Sequence, residues 1–190
     1  KYEEAIYFDS RCTPAYLKYA DIYKSANAGL AIEKLNQLKT LEPSNTAIDK
    51  KLAEIYYLKN DFSKAADAYS RFAMGPTANE EDLVKYAFAL FLNHDFAKSL
   101  EVANMGLKKN PRHAAFNRLA MYNNTDLKRF EEALKAADVF FNECDKADYS
   151  YLDYMYYGHL LEELKKYDEA VGQYEKAVEL DPTKTDLYKN

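Results

Sequence analysis

A repeat of 34 residues constrains this sequence more than any other feature. One series of small residues follows it, with a last step of 37: Ala31, Ala65, Ser99, Ala133 and Ala170. A series of aromatic residues takes the same steps: Phe62, Phe96, Phe130 and Tyr167. A chain that repeats at this spacing is built from stacked supersecondary units, in which each unit contacts mainly its neighbours.

Each repeat has the pattern of two amphipathic helices joined by a short polar turn. In the second repeat, Leu52, Ile55 and Tyr56 lie three and four residues apart, and the turn Asn60–Asp61 follows them. This spacing places apolar side chains on one face of a helix. Only 5 Gly and 5 Pro occur in 190 residues, which is few for a chain with many turns and strands. The sequence therefore predicts an all-α fold of antiparallel helix pairs.

The period also predicts the boundaries of the repeats. They are placed at 13–45, 46–79, 80–112, 113–150 and 151–184. The fourth is long, so Asn142–Ser150 is expected to hold an extended helix end or an enlarged corner. Residues 1–12 have the pattern of half of a preceding second helix, and 185–190 that of the start of a further helix. We expect one solenoid, cut from a longer array.

Composition excludes several classes of protein. The chain is 48% hydrophobic and 30% charged, which excludes disorder. Its formal net charge of −5 has the wrong sign for binding a phosphate backbone, so nucleic acid is not an expected partner. No apolar run is long enough to span a membrane, and we expect a soluble segment without direct membrane insertion. A cytoplasmic location and a bacterial envelope compartment both stay open.

The pattern resembles the tetratricopeptide repeat (TPR) family, whose unit is about 34 residues long. The last copy carries the motif best, with Tyr154, Tyr157, Gly158, Leu161, Ala170, Tyr174, Ala177 and Pro182. The chain departs from the motif in having no Trp, in Ala103 of the third copy, and in lacking a closing Pro in the fourth. The resemblance implies a right-handed superhelix, whose concave face is lined by first helices and binds a peptide or a segment of a partner protein.

A second series of small residues predicts which side chains face that groove. The series is Ala20, Ala53, Ala87, Ala120 and Gly158. Positions three before, one after and four after each small residue share one side of a helix. The predicted partner-binding residues are Tyr57, Val84, Phe88, Phe91, Asn117, Met121, Asn124, Met155 and His159. Phe88 and Phe91 are the favoured anchors. The alternative is that these side chains pack against neighbouring first helices.

Basic residues border the predicted groove two positions before the small residues. This basic ladder consists of Lys18, Lys51, Lys85 and Arg118. A ligand with acidic and apolar residues would match both features, whereas solubility alone also explains exposed lysines. Relatives that hold the carboxylate of chaperone tails use Lys and Asn at defined groove positions. Here Glu54 and Lys85 replace the asparagines and Ala114 replaces a Lys, so a chaperone tail is disfavoured.

No combination of residues predicts catalysis. His94, His113 and His159 fall in a turn, a repeat junction and a groove wall, and no metal, phosphate or dinucleotide motif occurs. Cys12 and Cys144 are about four repeats apart and are expected to stay unpaired. We expect no enzyme activity, cofactor or metal.

Two functions remain open at this stage. The first is a non-catalytic protein–protein interaction scaffold that binds a peptide in its groove. The alternative is a structural spacer, or an end-to-end self-association segment, of a larger protein with an enzymatic or envelope-anchored part. Charge reversal and groove substitutions distinguish the two, because only the first depends on side chains of the groove.

Overall fold

The computed structural model describes residues 1–144 and 148–183, and this part of the chain is helical without strands. In chain order the helices are α1 Tyr2–Phe8, α2 Thr13–Ala26, α3 Ala28–Leu41, α4 Thr46–Leu58, α5 Phe62–Phe72, α6 Glu80–Leu92, α7 Phe96–Lys109, α8 Ala114–Asp126, α9 Phe130–Asp138, α10 Tyr151–Glu163 and α11 Tyr167–Leu180. The prediction of an all-α fold is confirmed. The further helix expected at 185–190 lies outside the described residues.

The chain divides into two compact units, Lys1–Asn93 and His94–Asn190. In the first unit α2 packs on α3, α4 packs on α5, and α5 packs on α6. In the second unit α8 lies between α7 and α9, and α10 packs on α11. Helices adjacent in sequence are therefore the main packing partners within each unit, as a repeat architecture requires.

Side-chain caps start several of these helices. The side chain of Asn27 accepts a hydrogen bond from the Leu30 amide at the start of α3 (3.1 Å), and Asp61 does the same for α5. Asn79 with Asp82, and Ser150 with Asp153, form capping boxes at the starts of α6 and α10. Such caps satisfy backbone N–H groups that have no partner within the helix. The polar turns of the sequence thus fix where the helices begin.

Four of the five corners within repeats share one backbone conformation, and the exception is the first, where Asn27 has a φ angle of −152°. Asn60, His94, Lys128 and Lys165 have φ angles of 58° to 60°, in the left-handed region. At three of these corners the next amide bonds back to a carbonyl five residues earlier. These bonds join Asp61 to Tyr56 (2.9 Å), Arg129 to Asn124 (2.8 Å) and Lys166 to Leu161 (2.8 Å). A left-handed residue that closes such a bond ends a helix sharply and reverses the chain.

The fourth repeat carries its extra residues at the end of its second helix. Helix α9 continues into a π-helical turn at Val139–Glu143. The ring of Phe141 from this turn stacks on Tyr149 (5.2 Å) and Tyr157 (5.1 Å), and lies 5.2 Å from Tyr154. The sequence predicts an extended helix end or an enlarged corner at Asn142–Ser150; the π-helical turn reaches Glu143, and residues 145–147 lie outside the described part of the chain. Phe141 before the corner and the three tyrosines after it therefore close the corner by aromatic packing.

Candidate functional site

A groove in the first unit brings together aromatic and basic side chains. Its volume is about 550 Å³. Its walls come from the first helices α2, α4 and α6, with one residue from the second helix α5. The lining residues are Lys24, Lys51, Glu54, Tyr57, Leu58, Tyr69, Lys85 and Phe88. Within α4, Lys51, Glu54 and Leu58 lie three and four residues apart, so the helical period places them on one face.

The apolar part of this groove consists of Tyr57, Leu58, Tyr69 and Phe88. Tyr57 and Phe88 are half-buried, Leu58 is exposed, and Tyr69 is buried. Burial raises the pKa of Tyr57 and, more strongly, that of Tyr69, where nearby carboxylates such as Glu54 add to the effect. Both hydroxyl groups therefore stay protonated at neutral pH and can donate hydrogen bonds to a ligand.

Lys51 and Lys85 of the groove already form ion pairs with carboxylates of this chain. The Lys51 ammonium lies 2.7 Å from Asp21 and 3.3 Å from Glu54, and Lys85 lies 2.6 Å from Glu81. Burial lowers the pKa of Lys51, but these carboxylates outweigh it and the pKa is raised. All of these partners are partly exposed, and such pairs contribute about 0.2–1 kcal/mol each. A ligand carboxylate can therefore exchange with them at small cost.

Of the eight lining residues, Tyr57 and Phe88 belong to the predicted partner-binding set, and Lys51 and Lys85 belong to the basic ladder. Lys24 and Glu54 also stand at positions that the positional rule gives, four after Ala20 and one after Ala53. Leu58 and Tyr69 were not predicted. Leu58 was missed because the positional rule stops four residues after Ala53. Tyr69 was missed because it lies on a second helix, which the rule does not cover. An exposed leucine beside a groove position was the signal that could have found Leu58.

Two other predicted groove residues on α6, the anchor Phe91 and Val84, do not share the position of Phe88. Phe91 is 8% exposed and belongs to the core, so the expectation that it faces an open groove is corrected. Val84 is half-buried and does not line this groove. Only Phe88 of the favoured pair therefore offers its ring to a ligand. Three residues separate Phe88 from Phe91, which turns their side chains by about 60° around the helix axis.

The second unit has a smaller groove of about 200 Å³ at α8 and α10. It is lined by Asp126, Leu152, Met155, Tyr156 and His159, so it contains the predicted residues Met155 and His159. The Tyr156 hydroxyl donates a hydrogen bond of 2.9 Å to Asp126. Burial raises the pKa of the Asp126 carboxyl, although this hydrogen bond acts against it. His159 is exposed. This groove is acidic, in contrast to the first.

Three residues of α8 that were predicted to face the first-helix groove are buried. Met121 is fully buried, and Asn117 and Asn124 are 4% and 5% exposed, which corrects the expectation that they face the first-helix groove. The reason is a shift of one residue in the repeat. Twelve residues separate Ala53 from Ala65 and Gly158 from Ala170, and the residue twelve before Ala133 is Met121, not Ala120.

When Met121, and not Ala120, is taken as the residue equivalent to Ala53 and Gly158, the fourth repeat follows the pattern of the others. The equivalent residues are Tyr19, Ala53, Ala87, Met121 and Gly158, and all of them are buried. In the fifth repeat a Cβ added to Gly158 would lie 2.6 Å from the ring of Tyr174 on the second helix. The fourth repeat has Ala137 where the fifth has Tyr174. By sequence, the fourth repeat therefore has the larger residue on its first helix and the smaller one on its second, the reverse of the fifth repeat.

The basic ladder does not form a continuous feature. Lys18 is exposed, and Lys51 and Lys85 line the first groove. Arg118 instead forms an ion pair of 2.7 Å with the buried carboxylate of Asp153 on α10. Its guanidinium also lies over the ring of Phe140, 5.1 Å from the centroid. Arg118 is therefore a structural residue, and the expectation that it borders a ligand is corrected.

The histidines and cysteines occupy separate places. His94 is in a corner, His113 precedes α8, and His159 is on α10. Cys12 and Cys144 are free thiols. Over residues 1–144 and 148–183, His, Cys, Asp and Glu form no group of three that could hold a metal ion. In the same part of the chain, none of the helices combines the length and apolar character needed to cross a bilayer.

Comparison with known proteins agrees with this architecture. The family model for the tetratricopeptide repeat matches residues 151–184. YrrB, described as a TPR protein with an unusual peptide-binding site, superposes with a TM-score of 0.75 at 15% identity, over 95% of this chain and 92% of its own. MamA does so with a TM-score of 0.72 at 17% identity, over 93% and 96%. PilF of Pseudomonas aeruginosa gives 0.71 at 12% identity, over 95% and 82%.

These likenesses define the class of the protein. It has the fold of tetratricopeptide-repeat proteins, and its last repeat matches the family by sequence. The resemblance inferred from the residue series is thereby confirmed. No curated protein matches the sequence.

Proposed function

We propose that the chain is a non-catalytic protein-interaction scaffold that binds a peptide segment of a partner protein in the groove of the first unit. The observation that carries this proposal is the half-buried ring of Phe88, which lies beside Tyr57 and Leu58 in a groove of about 550 Å³. Aromatic side chains that keep part of their surface open supply much of the binding energy at such sites. The fold shared with YrrB, a protein described as having a peptide-binding site, supports the same function.

The groove fits a peptide with a bulky apolar residue next to an acidic one. The apolar side chain would contact Phe88 and Tyr57. An acidic side chain would reach Lys85 or Lys24, whose carboxylate partners Glu81 and Asp21 lie at 2.6 and 3.8 Å. Because these pairs exchange readily, the lysines contribute mainly to selectivity and to the rate of association.

The anchor is tested with Phe88→Ala in the full chain. Peptides of twelve random residues displayed on phage are selected on the wild-type protein, and their affinities are measured by isothermal titration calorimetry. We expect Phe88→Ala to weaken peptides with an apolar and an acidic residue by at least about 10-fold, equivalent to 1.4 kcal/mol, since a buried aromatic contact is lost. The helical circular dichroism should stay unchanged. The proposal would be refuted if Phe88→Ala left the affinity of every selected peptide unchanged.

The charge requirement is tested with Lys85→Gln. This variant should weaken acidic peptides about 2- to 5-fold at low salt, and the difference should vanish at 0.5 M NaCl, where charges are screened beyond about 4–5 Å. Lys18→Gln is the matched control, because Lys18 is exposed and does not line the groove. An equal effect of both variants would show that net charge, and not the groove, attracts the peptide.

Self-association is a second candidate function, favoured by α1. Tyr7 and Phe8 are 84% and 85% exposed, an unusual state for two adjacent aromatic residues. If α1 joins copies of the chain, sedimentation velocity will show oligomers that grow with concentration and disappear in Tyr7→Ser/Phe8→Ser. A monomer at all concentrations would exclude this function.

A further inference from the structure

The second unit contains a cleft between the second helices α7 and α9, with α8 as its floor. Its volume is about 360 Å³. The lining residues are Leu100, Asn104, Leu107, Asn117, Ala120, Asn124, Arg129, Glu132, Lys135, Ala136 and Val139. None of them lines either first-helix groove. A depression of about 570 Å³ along α7 shares Asn104 and Leu107 with the cleft, so the concave surface continues beyond it.

One polar group in this cleft has no partner in the fold. Asn124 is 5% exposed, and its Oδ1 atom is buried and accepts no hydrogen bond from any residue that the structure describes. A buried amide oxygen without a donor destabilises a protein by about 1–3 kcal/mol. Native structures contain few such groups, and each one needs an explanation.

Asn117 lies on the same face of α8 as Asn124 and has a structural role. It is 4% exposed, and its Nδ2 atom donates to the carbonyl oxygens of Pro111 (2.9 Å) and His113 (3.2 Å). These bonds join α8 to the turn before it. The fold therefore gives the amide nitrogen of Asn117 two acceptors, whereas the described residues offer the amide oxygen of Asn124 no donor, although both residues line the cleft.

The surroundings of Asn124 are mostly apolar below, and the rim carries two cations, Arg129 and Lys135, and one carboxylate, Glu132. Ala120 in the floor leaves depth, and Leu100 and Val139 stand on opposite walls. At the rim, Arg129 and Lys135 make no ion pair within 4.0 Å in the described part of the chain, in contrast to Lys51 and Lys85 of the first groove. Two unpaired cations beside an apolar cleft match an acidic group on a ligand.

We propose that this cleft is a second binding site, which holds an extended segment of a partner protein with an apolar side chain flanked by Asp or Glu. The apolar side chain fills the space over Ala120, and the acidic residue faces Arg129 and Lys135. A backbone N–H of the segment donates to Oδ1 of Asn124, which reaches the cleft by rotation about χ2, a soft torsion in asparagine. The ligand thus satisfies the group that the fold leaves unpaired. This site goes beyond the groove of Phe88 and does not depend on it.

Stability and binding should change in opposite directions at Asn124. Asn124→Leu removes an unpaired amide, so the melting temperature is expected to stay the same or rise. The phage-selected peptides that carry an acidic residue beside Leu, Ile or Phe should include a class that Asn124→Leu weakens at least about 10-fold and Phe88→Ala leaves unchanged. Arg129→Gln/Lys135→Gln should weaken the same class in a salt-dependent way. Asn36→Leu, at an exposed position of α3, is the matched control.

The proposal has clear ways to fail. It is overturned if no selected peptide distinguishes Asn124→Leu from wild type, or if Asn124→Leu lowers the melting temperature as Asn117→Ala does. It is also overturned if sedimentation shows that the variant only abolishes a dimer, because the occupant would then be a second copy of the chain. Should Asn124→Leu fail to fold, the side-chain amide resonance of Asn124 in the wild type decides. It must shift on addition of the selected peptide, and an unmoved resonance rejects the site.

Discussion

The guanidinium of Arg118 on α8 donates two hydrogen bonds to the carboxylate of Asp153 on α10, from Nε to Oδ1 at 2.7 Å and from Nη2 to Oδ2 at 3.0 Å. Asp153 is fully buried and also accepts a hydrogen bond of 2.6 Å from the Tyr122 hydroxyl. Its Oδ2 atom also accepts a hydrogen bond from the Ser150 amide, which caps the start of α10. One carboxylate therefore joins the first helices of two repeats and fixes the start of the second of them.

Removal of the cation from this pair is expected to be strongly destabilising. Arg118→Met leaves the buried charge of Asp153 without its partner, which lowers the free energy of unfolding by about 3–5 kcal/mol. Urea unfolding followed by circular dichroism measures the change. Lys18→Met, at an exposed position of the same predicted ladder, should change it by less than about 0.5 kcal/mol. A loss below about 1 kcal/mol for Arg118→Met would mean that Asp153 is hydrated or protonated.

Gly106 is expected to tolerate no side chain. A Cβ atom there would clash with the ring of Phe116, which is fully buried. Ala in place of Gly gains about 1 kcal/mol of helix propensity, but an overpacked core loses about 1–3 kcal/mol. Gly106→Ala should therefore be net destabilising by up to about 2 kcal/mol in thermal or urea unfolding. Gly172→Ala, where nothing lies within 4 Å of the added Cβ, should be stabilising. Equal signs for the two variants would contradict the packing.

Glycine at the left-handed corners is expected to stabilise the chain. Lys128 and Lys165 have φ angles of 58° and 60°. The left-handed conformation costs an ordinary L-residue about 1–2 kcal/mol, and glycine adopts it freely but loses more chain entropy. Lys128→Gly and Lys165→Gly should each raise the free energy of unfolding by up to about 1 kcal/mol. Asn60→Gly should gain less, because asparagine tolerates this region. A loss of stability in both lysine variants would argue against the corner geometry.

Stability is expected to fall at alkaline pH. Burial raises the pKa of Tyr122, and the charge of Asp153 and its hydrogen bond with the hydroxyl raise it further; burial and Glu3 raise that of Tyr19 to about 12. Because the folded chain binds these protons more tightly than the unfolded chain, their stabilising contribution is complete below pH of about 10 and is lost as the pH rises further. Absorbance at 295 nm should show some tyrosines ionising only as helical dichroism disappears. Complete ionisation near pH 10 with intact helices would refute this, and Tyr122→Phe should reduce the dependence.

The sequence predicts the helices and their pairing well, because both follow from a period that many residues share. It fails where one large residue breaks a series. Ala120 fits the series of small residues better than Met121 does, yet Met121 is the residue equivalent to Ala53 and Gly158. The distance of twelve residues to Ala133 would have shown this, since the backbone geometry of a helix pair is more constant than side-chain size.

Other features depend on packing that no pattern shows. Asn117 and Asn124 are the same residue type on one face of α8, and no pattern shows that the Nδ2 atom of Asn117 meets the carbonyl oxygens of Pro111 and His113 while the Oδ1 atom of Asn124 meets no donor among the described residues. Likewise, the sequence gives no reason to separate Phe88 from Phe91, although one ring is half-buried and the other lies in the core.

The exchange of size between Met121 with Ala137 and Gly158 with Tyr174 means that the repeats are not interchangeable modules. A chimaera that swapped α8 and α10 would set Gly158 opposite Ala137 and leave a hole, and would force Met121 against Tyr174. Segments of this chain can therefore be grafted only as complete helix pairs, even though their backbones follow the same plan.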